Sequence, residues 1–347
     1  MALNDYGSNF PSRPERKNID LPRDTDGNTY LHELCRKDAP VALIREAVEK
    51  LGANVNAVNK KNMPPLAAAI QYAKPEVVAC LLDLGAEMYF QTAKADPFNA
   101  IYLAADLGKN GALKTIIEHG GGAHVNDIGV GQDGYGNKFT ALHIAVKNYH
   151  YDMIDALAGA GALLNEEAGP DRVTPLFLAI ANNTDSGVRR LLNAGADLER
   201  KQSDTGRTPL VYAAYHREAS AARILIDYGA DVNAQDNSGQ TPLMYAAENG
   251  DSTLVEKLVA ARAEVNLRRK GNNGETALMK AAWKGSSETV KTLLKAGADP
   301  TLADAFHKTA LQYAGENYQH GTRFVLEEAE QKAAQAQFEN TYRKYRP

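Results

Sequence analysis

A four-residue phrase recurs along the chain at nearly constant spacing. Its versions are T-Y-L-H (Thr29 to His32), T-A-L-H (Thr140 to His143), T-P-L-F (Thr174 to Phe177), T-P-L-V (Thr208 to Val211), T-P-L-M (Thr241 to Met244) and T-A-L-M (Thr276 to Met279). Weaker copies are P-P-L-A (Pro64 to Ala67), N-A-I-Y (Asn99 to Tyr102) and T-A-L-Q (Thr309 to Gln312). The aliphatic residue of each copy (Leu31, Leu66, Ile101, Leu142, Leu176, Leu210, Leu243, Leu278, Leu311) follows the previous one by 33 to 35 residues, with one interval of 41. Such a period means a stacked array of small units, none of which can bury its apolar face alone.

The physics of one unit follows from its residues. Thr208 stands where a helix N-cap is needed, and Pro209 stands in the first turn, where its missing N–H costs nothing. Leu210, Ala213 and Ala214 supply one apolar face, and the alanines let a second helix approach closely. Gly229 suits a left-handed cap at the end of that second helix, and the polar stretch from Asp231 to Gly239 turns the chain back toward the next unit. Helix, helix and hairpin repeat, so the expected fold is an α-helical solenoid.

Each copy also has the same surroundings. A pair of aliphatic residues is followed by G-A-D, as in Leu191-Leu192 before Gly195-Ala196-Asp197 and Leu293-Leu294 before Gly297-Ala298-Asp299. Asn56, Asn126, Asn165, Asn233 and Asn266 close several units. This resembles the ankyrin repeat, whose pattern is D-x-x-G-x-T-P-L-H-x-A-A, a second helix, then G-A-D-x-N. The resemblance implies an all-α, ankyrin-type solenoid of helix-turn-helix repeats joined by β-hairpin-like loops. It covers roughly residues 24 to 330 in about nine repeats. Residues 1–23, polar and containing Pro11, Pro14 and Pro22, read as a flexible arm or cap over the first repeat. Residues 331–347 read as a helical extension ending in a basic, aromatic tail.

Composition excludes several function classes. A net charge of -4 and a pI near 6.1 give no reason to expect nucleic acid or an anionic membrane as partner. The two cysteines, Cys35 and Cys80, argue against a disulfide framework and fit a reducing compartment, with Cys35 as core filler. No run approaches the ~18 apolar residues of a membrane helix. The opening residues lack the basic and apolar regions of a secretory signal, so the expected location is the cytoplasm.

Chemical motifs are scarce. Gly129 to Gly134 form a G-x-G-x-x-G, but a dinucleotide fingerprint needs a buried strand before it and a long helix opening within it. Here it falls between two repeats, and flexibility explains the glycines better. His32 and His143 occupy the T-P-L-H histidine position, where the resemblance implies a ring bonded to hairpin backbone. His119 and His124 have no partners at metal-ligand spacing, so no metal or cofactor is expected.

Recognition remains. The resemblance places the binding face on the concave side, formed by hairpin tips and first helices. Past the A-A pair of successive first helices lie Tyr215 and His216, Glu248 and Asn249, and Trp283 and Lys284. Trp283, the only tryptophan, and Tyr215 are the aromatic anchor type of protein interfaces. Tyr212, Tyr245 and Tyr313 recur at one helix position and read as packing residues with hydroxyls reaching water. A second candidate is the loop where Met88, Tyr89 and Phe90 stand in place of polar hairpin residues, an exposed apolar tip.

The expected function is a non-enzymatic scaffold or adaptor, monomeric, binding a protein partner. The alternative is a bacterial ankyrin-type effector acting on host proteins, toward which Glu327-Glu328-Ala329-Glu330 resembles an acidic secretion signal. A third reading is an enzyme with its chemistry in residues 120–138.

Overall fold

The computed structural model describes residues 10–91, 97–130, 138–170, 172–271, 273–317 and 319–344. Each copy of the phrase opens a short helix, and a second helix follows after a tight turn. The cap chemistry is as the residues dictate. Thr208, Thr241 and Thr276 accept the backbone N–H three residues on, and Pro209 and Pro242 hold the first turn. Gly250 and Gly285 end their helices in the left-handed conformation.

By contacts the chain divides into two compact units, residues 1–178 with 193–195, and residues 179–192 with 196–347. In the first, the helices Tyr30–Arg36, Pro65–Tyr72, Ala100–Asp106 and Ala141–Lys147 stack in order. The arm packs on this unit: Ile19 is buried, Arg13 pairs with Glu46 at 2.9 Å, and Asp20 accepts the Asn54 N–H at 3.0 Å. In the second, the first helices Pro209–His216, Pro242–Asn249, Ala277–Lys284 and Ala310–Glu316 stack, and so do the second helices Ala219–Asp227, Ser252–Ala260, Ser287–Lys295 and His320–Lys344. The only strands among the described residues form two short antiparallel pairs, Tyr89–Gln91 with Pro97–Asn99 and Gly129–Val130 with Lys138–Phe139.

That first pair corrects one expectation. Phe90 is no exposed tip residue; it is 1% exposed. A strand sends successive side chains to opposite faces, so Tyr89 faces out while Phe90 turns into the core.

The core is the repeated aliphatic residue plus the alanine pair. Leu210, Leu243 and Leu278 are buried, as are Ala213-Ala214, Ala246-Ala247 and Ala281-Ala282. Each buried leucine contributes ~1.5–3 kcal/mol, most of it through the neighbouring repeat. The loops are tied as well. Asn56, Asn126 and Asn266 each bond both a glycine carbonyl and a backbone N–H of the following repeat: Asn266 donates to Gly297 O at 3.0 Å and accepts the Asp299 N–H at 2.8 Å. Hairpin tips join too, with Asn237 N–H donating to Thr205 O at 2.9 Å. A Cβ at Gly206 would collide with Asn237, and one at Gly239 with the backbone of Lys270, so close approach as well as a positive φ demands glycine there.

The ninth repeat is written differently because no tip packs against it. His307, at φ 61, stands where the three preceding repeats have the tip glycines Gly206, Gly239 and Gly274. Leu311 is only half-buried, and Gly315 replaces the second core alanine and is exposed. Leu243→Ala should therefore cost ~2–5 kcal/mol through a buried cavity, and Leu311→Ala clearly less. Urea unfolding of the two variants checks this; equal losses would contradict the register.

Candidate partner-binding surface

In the second unit, an aspartate organises the hairpin ahead of two of the first helices. The Asp236 carboxylate accepts the N–H groups of Ser238 and Gln240 at 2.9 and 3.0 Å and the Tyr245 hydroxyl at 2.6 Å. Burial pushes its pKa up, but these donors outweigh that and hold it below the usual range. Asp304 repeats the pattern, accepting Phe306 N–H and Lys308 N–H at 2.8 Å and the Tyr313 hydroxyl at 2.9 Å. The hydroxyls of Tyr245 and Tyr313 thus turn to hairpin carboxylates rather than to water, which corrects the expectation for these tyrosines. Burial, then the hydrogen bond to Asp304, raises the Tyr313 pKa.

The residues past the alanine pairs divide into two kinds. Trp283 and Tyr215 are 46% and 43% exposed. Trp283 meets Tyr313 edge-on at 6.5 Å, and Tyr215 meets Tyr245 edge-on at 5.3 Å. The Arg207 guanidinium lies 3.5 Å from the Tyr215 ring centre, so one face of that ring is already occupied. His216 and Lys284 are exposed; burial and Arg207 lower the His216 pKa.

Asn249 is structural. It donates to Ala214 O at 2.9 Å, tying its helix to the preceding one, and accepts from Arg217 at 2.9 Å. Asn317 does the same one register on, donating to Trp283 O at 2.7 Å. Glu248 is half-buried and lies 3.9 Å from Lys280, which also pairs with Glu275 at 3.3 Å. These internal pairs were not legible one residue at a time, although the regular spacing of acid and tyrosine (Asp236 with Tyr245, Asp304 with Tyr313) was a usable signal.

In the first unit, Tyr89 is exposed at its ring, but its hydroxyl bonds Asp127 and lies 2.6 Å from His124 Nδ1. The hydrogen bond to Asp127, then burial, pushes its pKa up to about 12. Tyr89 sits at the position that asparagine holds in neighbouring repeats, so it does the same work of gripping the next closing loop. Met88 is half-buried. Gly131, Gln132, Asp133 and Gly134, and the rest of 131–137, lie outside the described residues. Glu327 and Glu328 lie in the last helix, paired with Arg323 at 2.8 Å and Lys332 at 2.5 Å. Among the described residues no three His, Cys, Asp or Glu side chains converge as metal ligands, and no helix is long and apolar enough to cross a membrane.

A family model described as ankyrin repeats (3 copies) matches residues 101–202, 159–236, 176–269 and 243–336. The chain belongs to the ankyrin repeat family. The crystal structure of the ankyrin repeat domain of Bcl-3, titled a unique member of the IkappaB protein family, is similar to it at a TM-score of 0.55 and 28% identity, over 62% of this chain and 94% of that one. No curated protein matches the chain by sequence.

The ankyrin histidines serve the fold. His32 Nε2 donates to Met63 O at 2.8 Å, and Nδ1 lies 2.9 Å from Thr29 Oγ1. His143 Nε2 reaches Glu166 O and Val173 O at 3.1 and 3.2 Å, with Nδ1 2.7 Å from Thr140 Oγ1. Burial lowers the His143 pKa to about 4. The unfolded ring, with a pKa near 6.5, binds a proton more readily, so this stability is fully present above that pH and is lost as pH falls toward 4. The loss should approach ~3 kcal/mol. Urea unfolding at pH 7.5 and 4.5 tests it: the wild type should lose more over that interval than His143→Gln, whereas identical losses would contradict the assignment.

Proposed function

We propose that this ankyrin protein is a non-enzymatic interaction scaffold that holds a protein partner against the first helices and hairpin tips of its second unit. Ankyrin repeats are generally protein–protein interaction modules, which supports the coarse reading. The finer one rests on Trp283, a large aromatic left half-exposed in a row where several of the charged groups are paired within the chain. Lys280 is held by Glu275 and Glu248, Lys308 by Glu316 at 2.6 Å, and Arg207 lies 3.6 Å from Asp236. With Lys280 and Lys308 paired within the chain, desolvation of Trp283 is the main source of affinity, and Tyr215, His216 and Lys284 form the margin. Met88 and Tyr89 belong to a separate, smaller contact.

The repeat array on this reading runs from residue 24 to 330, beyond the matched residues at its N-terminal side, with residues 1–23 as a cap and 331–347 as an extension. The protein works as a monomer in the cytoplasm. The buried, free thiols of Cys35 and Cys80 are compatible with a reducing compartment.

Trp283→Ala should cost less than ~1 kcal/mol of stability yet weaken partner binding by ~2 kcal/mol or more. Affinity purification from native lysate with mass spectrometry, run on wild type and variant, identifies the partner lost. Retention should change little with salt, since few free charges line the face. A variant that is strongly unstable but recovers every partner would contradict the proposal.

A further inference from the structure

Three of the closing loops are joined to the next by a two-bond grip in which an asparagine amide is both donor and acceptor. Asn56, Asn126 and Asn266 donate to the carbonyls of Gly85, Gly161 and Gly297 at 3.2, 2.9 and 3.0 Å. The same side chains accept the N–H groups of Glu87, Leu163 and Asp299 at 2.9, 2.8 and 2.8 Å. The three glycines share one backbone conformation, with φ of 86, 89 and 90.

Between the fifth and sixth repeats the glycine is present but the amide is not. Gly229 has φ 89, matching its counterparts. Glu199 stands at the asparagine position, and its Oε1 accepts the Asp231 N–H at 2.7 Å, the accepting half of the grip. Its other oxygen makes no hydrogen bond within the described residues, and neither does the Gly229 carbonyl. An ionised carboxylate is an acceptor only, so it cannot supply the donating half. Asn233 is the complementary case. It keeps the amide but meets Arg262 where the glycine belongs, and it only accepts, from Glu264 N–H at 2.8 Å. There the glycine is what is missing; at Glu199 it is the proton.

We infer that Glu199 is a proton-operated clasp between the closing loops of the fifth and sixth repeats. Neutral, it donates to the Gly229 carbonyl and accepts the Asp231 N–H, as the asparagines do elsewhere; ionised, it keeps only the second bond. The surroundings favour the neutral form. Burial of the carboxyl does most to raise its pKa, the Asp231 N–H opposes this, the Asp231 and Asp197 carboxylates add to the rise, and Lys201 lowers it; the balance is upward. Lys201 also donates to Gln235 O at 3.2 Å, and Asp236, Glu264 and Lys270 line the same groove. Because the folded pKa is the higher one, the stabilisation is fully present below the ordinary glutamate range and is lost as pH rises through the folded value. Acid therefore tightens this junction while it loosens the one built on His143. The clasp is independent of the Trp283 face.

The test is an NMR titration of the full chain, following the Glu199 side-chain carboxyl and the Gly229 carbonyl carbon, alongside urea unfolding of wild type and Glu199→Gln. The two carbons should titrate together, at a pH above the ordinary glutamate range, and in Glu199→Gln the Gly229 carbonyl should stay near its low-pH position throughout. Glu199→Gln should raise the urea midpoint at pH 7.5, and that gain should shrink at pH 4. A Glu199 carboxyl that titrates while the Gly229 carbonyl stays still would reduce the effect to charge repulsion among Glu199, Asp231 and Asp197, and would overturn the clasp. An equal gain from Glu199→Gln at both pH values, or none at either, would also overturn it.

Discussion

Everything in this molecule depends on the fact that a leucine such as Leu243 is buried only when another repeat lies beside it. One helix pair of about thirty residues has too little interior to exclude water from its own apolar face. Stability is therefore a property of junctions. The junctions join an aliphatic core to a polar seam: the leucine and alanine pair inside, at several of them a closing-loop asparagine at one edge, and at several tip-to-tip backbone bonds at the other.

The same dependence explains how the array ends. A repeat with no successor would expose core, and the ninth repeat reduces that exposure by substitution. Its tip carries His307 rather than glycine, and Gln312 and Gly315 stand where earlier repeats of the unit place Met244 or Met279 and Ala247 or Ala282. The long helix His320–Lys344 covers part of the remainder through Thr322 and Leu326, which are buried.

The fold was legible because the period and the cap residues agree at most copies: Thr, Pro and Leu each have a local physical reason to be there. The candidate surface was only partly legible. Trp283 and Tyr215 are exposed as their register implies, but register says nothing of Arg207 lying across the Tyr215 ring. Asn249 looked like a surface residue and proves to be a tie between helices. Phe90 was misplaced because residues 88–99 were read as an ordinary hairpin tip, whereas strand alternation sends Tyr89 outward and Phe90 inward. In each case the missing information was a contact with a different repeat, about thirty residues away.

The claim that burial at each junction is supplied by the neighbour is tested most directly by amide hydrogen exchange on the full chain. If it is right, the helices Pro242–Asn249 and Ala277–Lys284, flanked on both sides, exchange slowest in their unit, and Ala310–Glu316 exchanges faster despite its identical helix type. Uniform protection across these helices, or strongest protection in the ninth repeat, would contradict it.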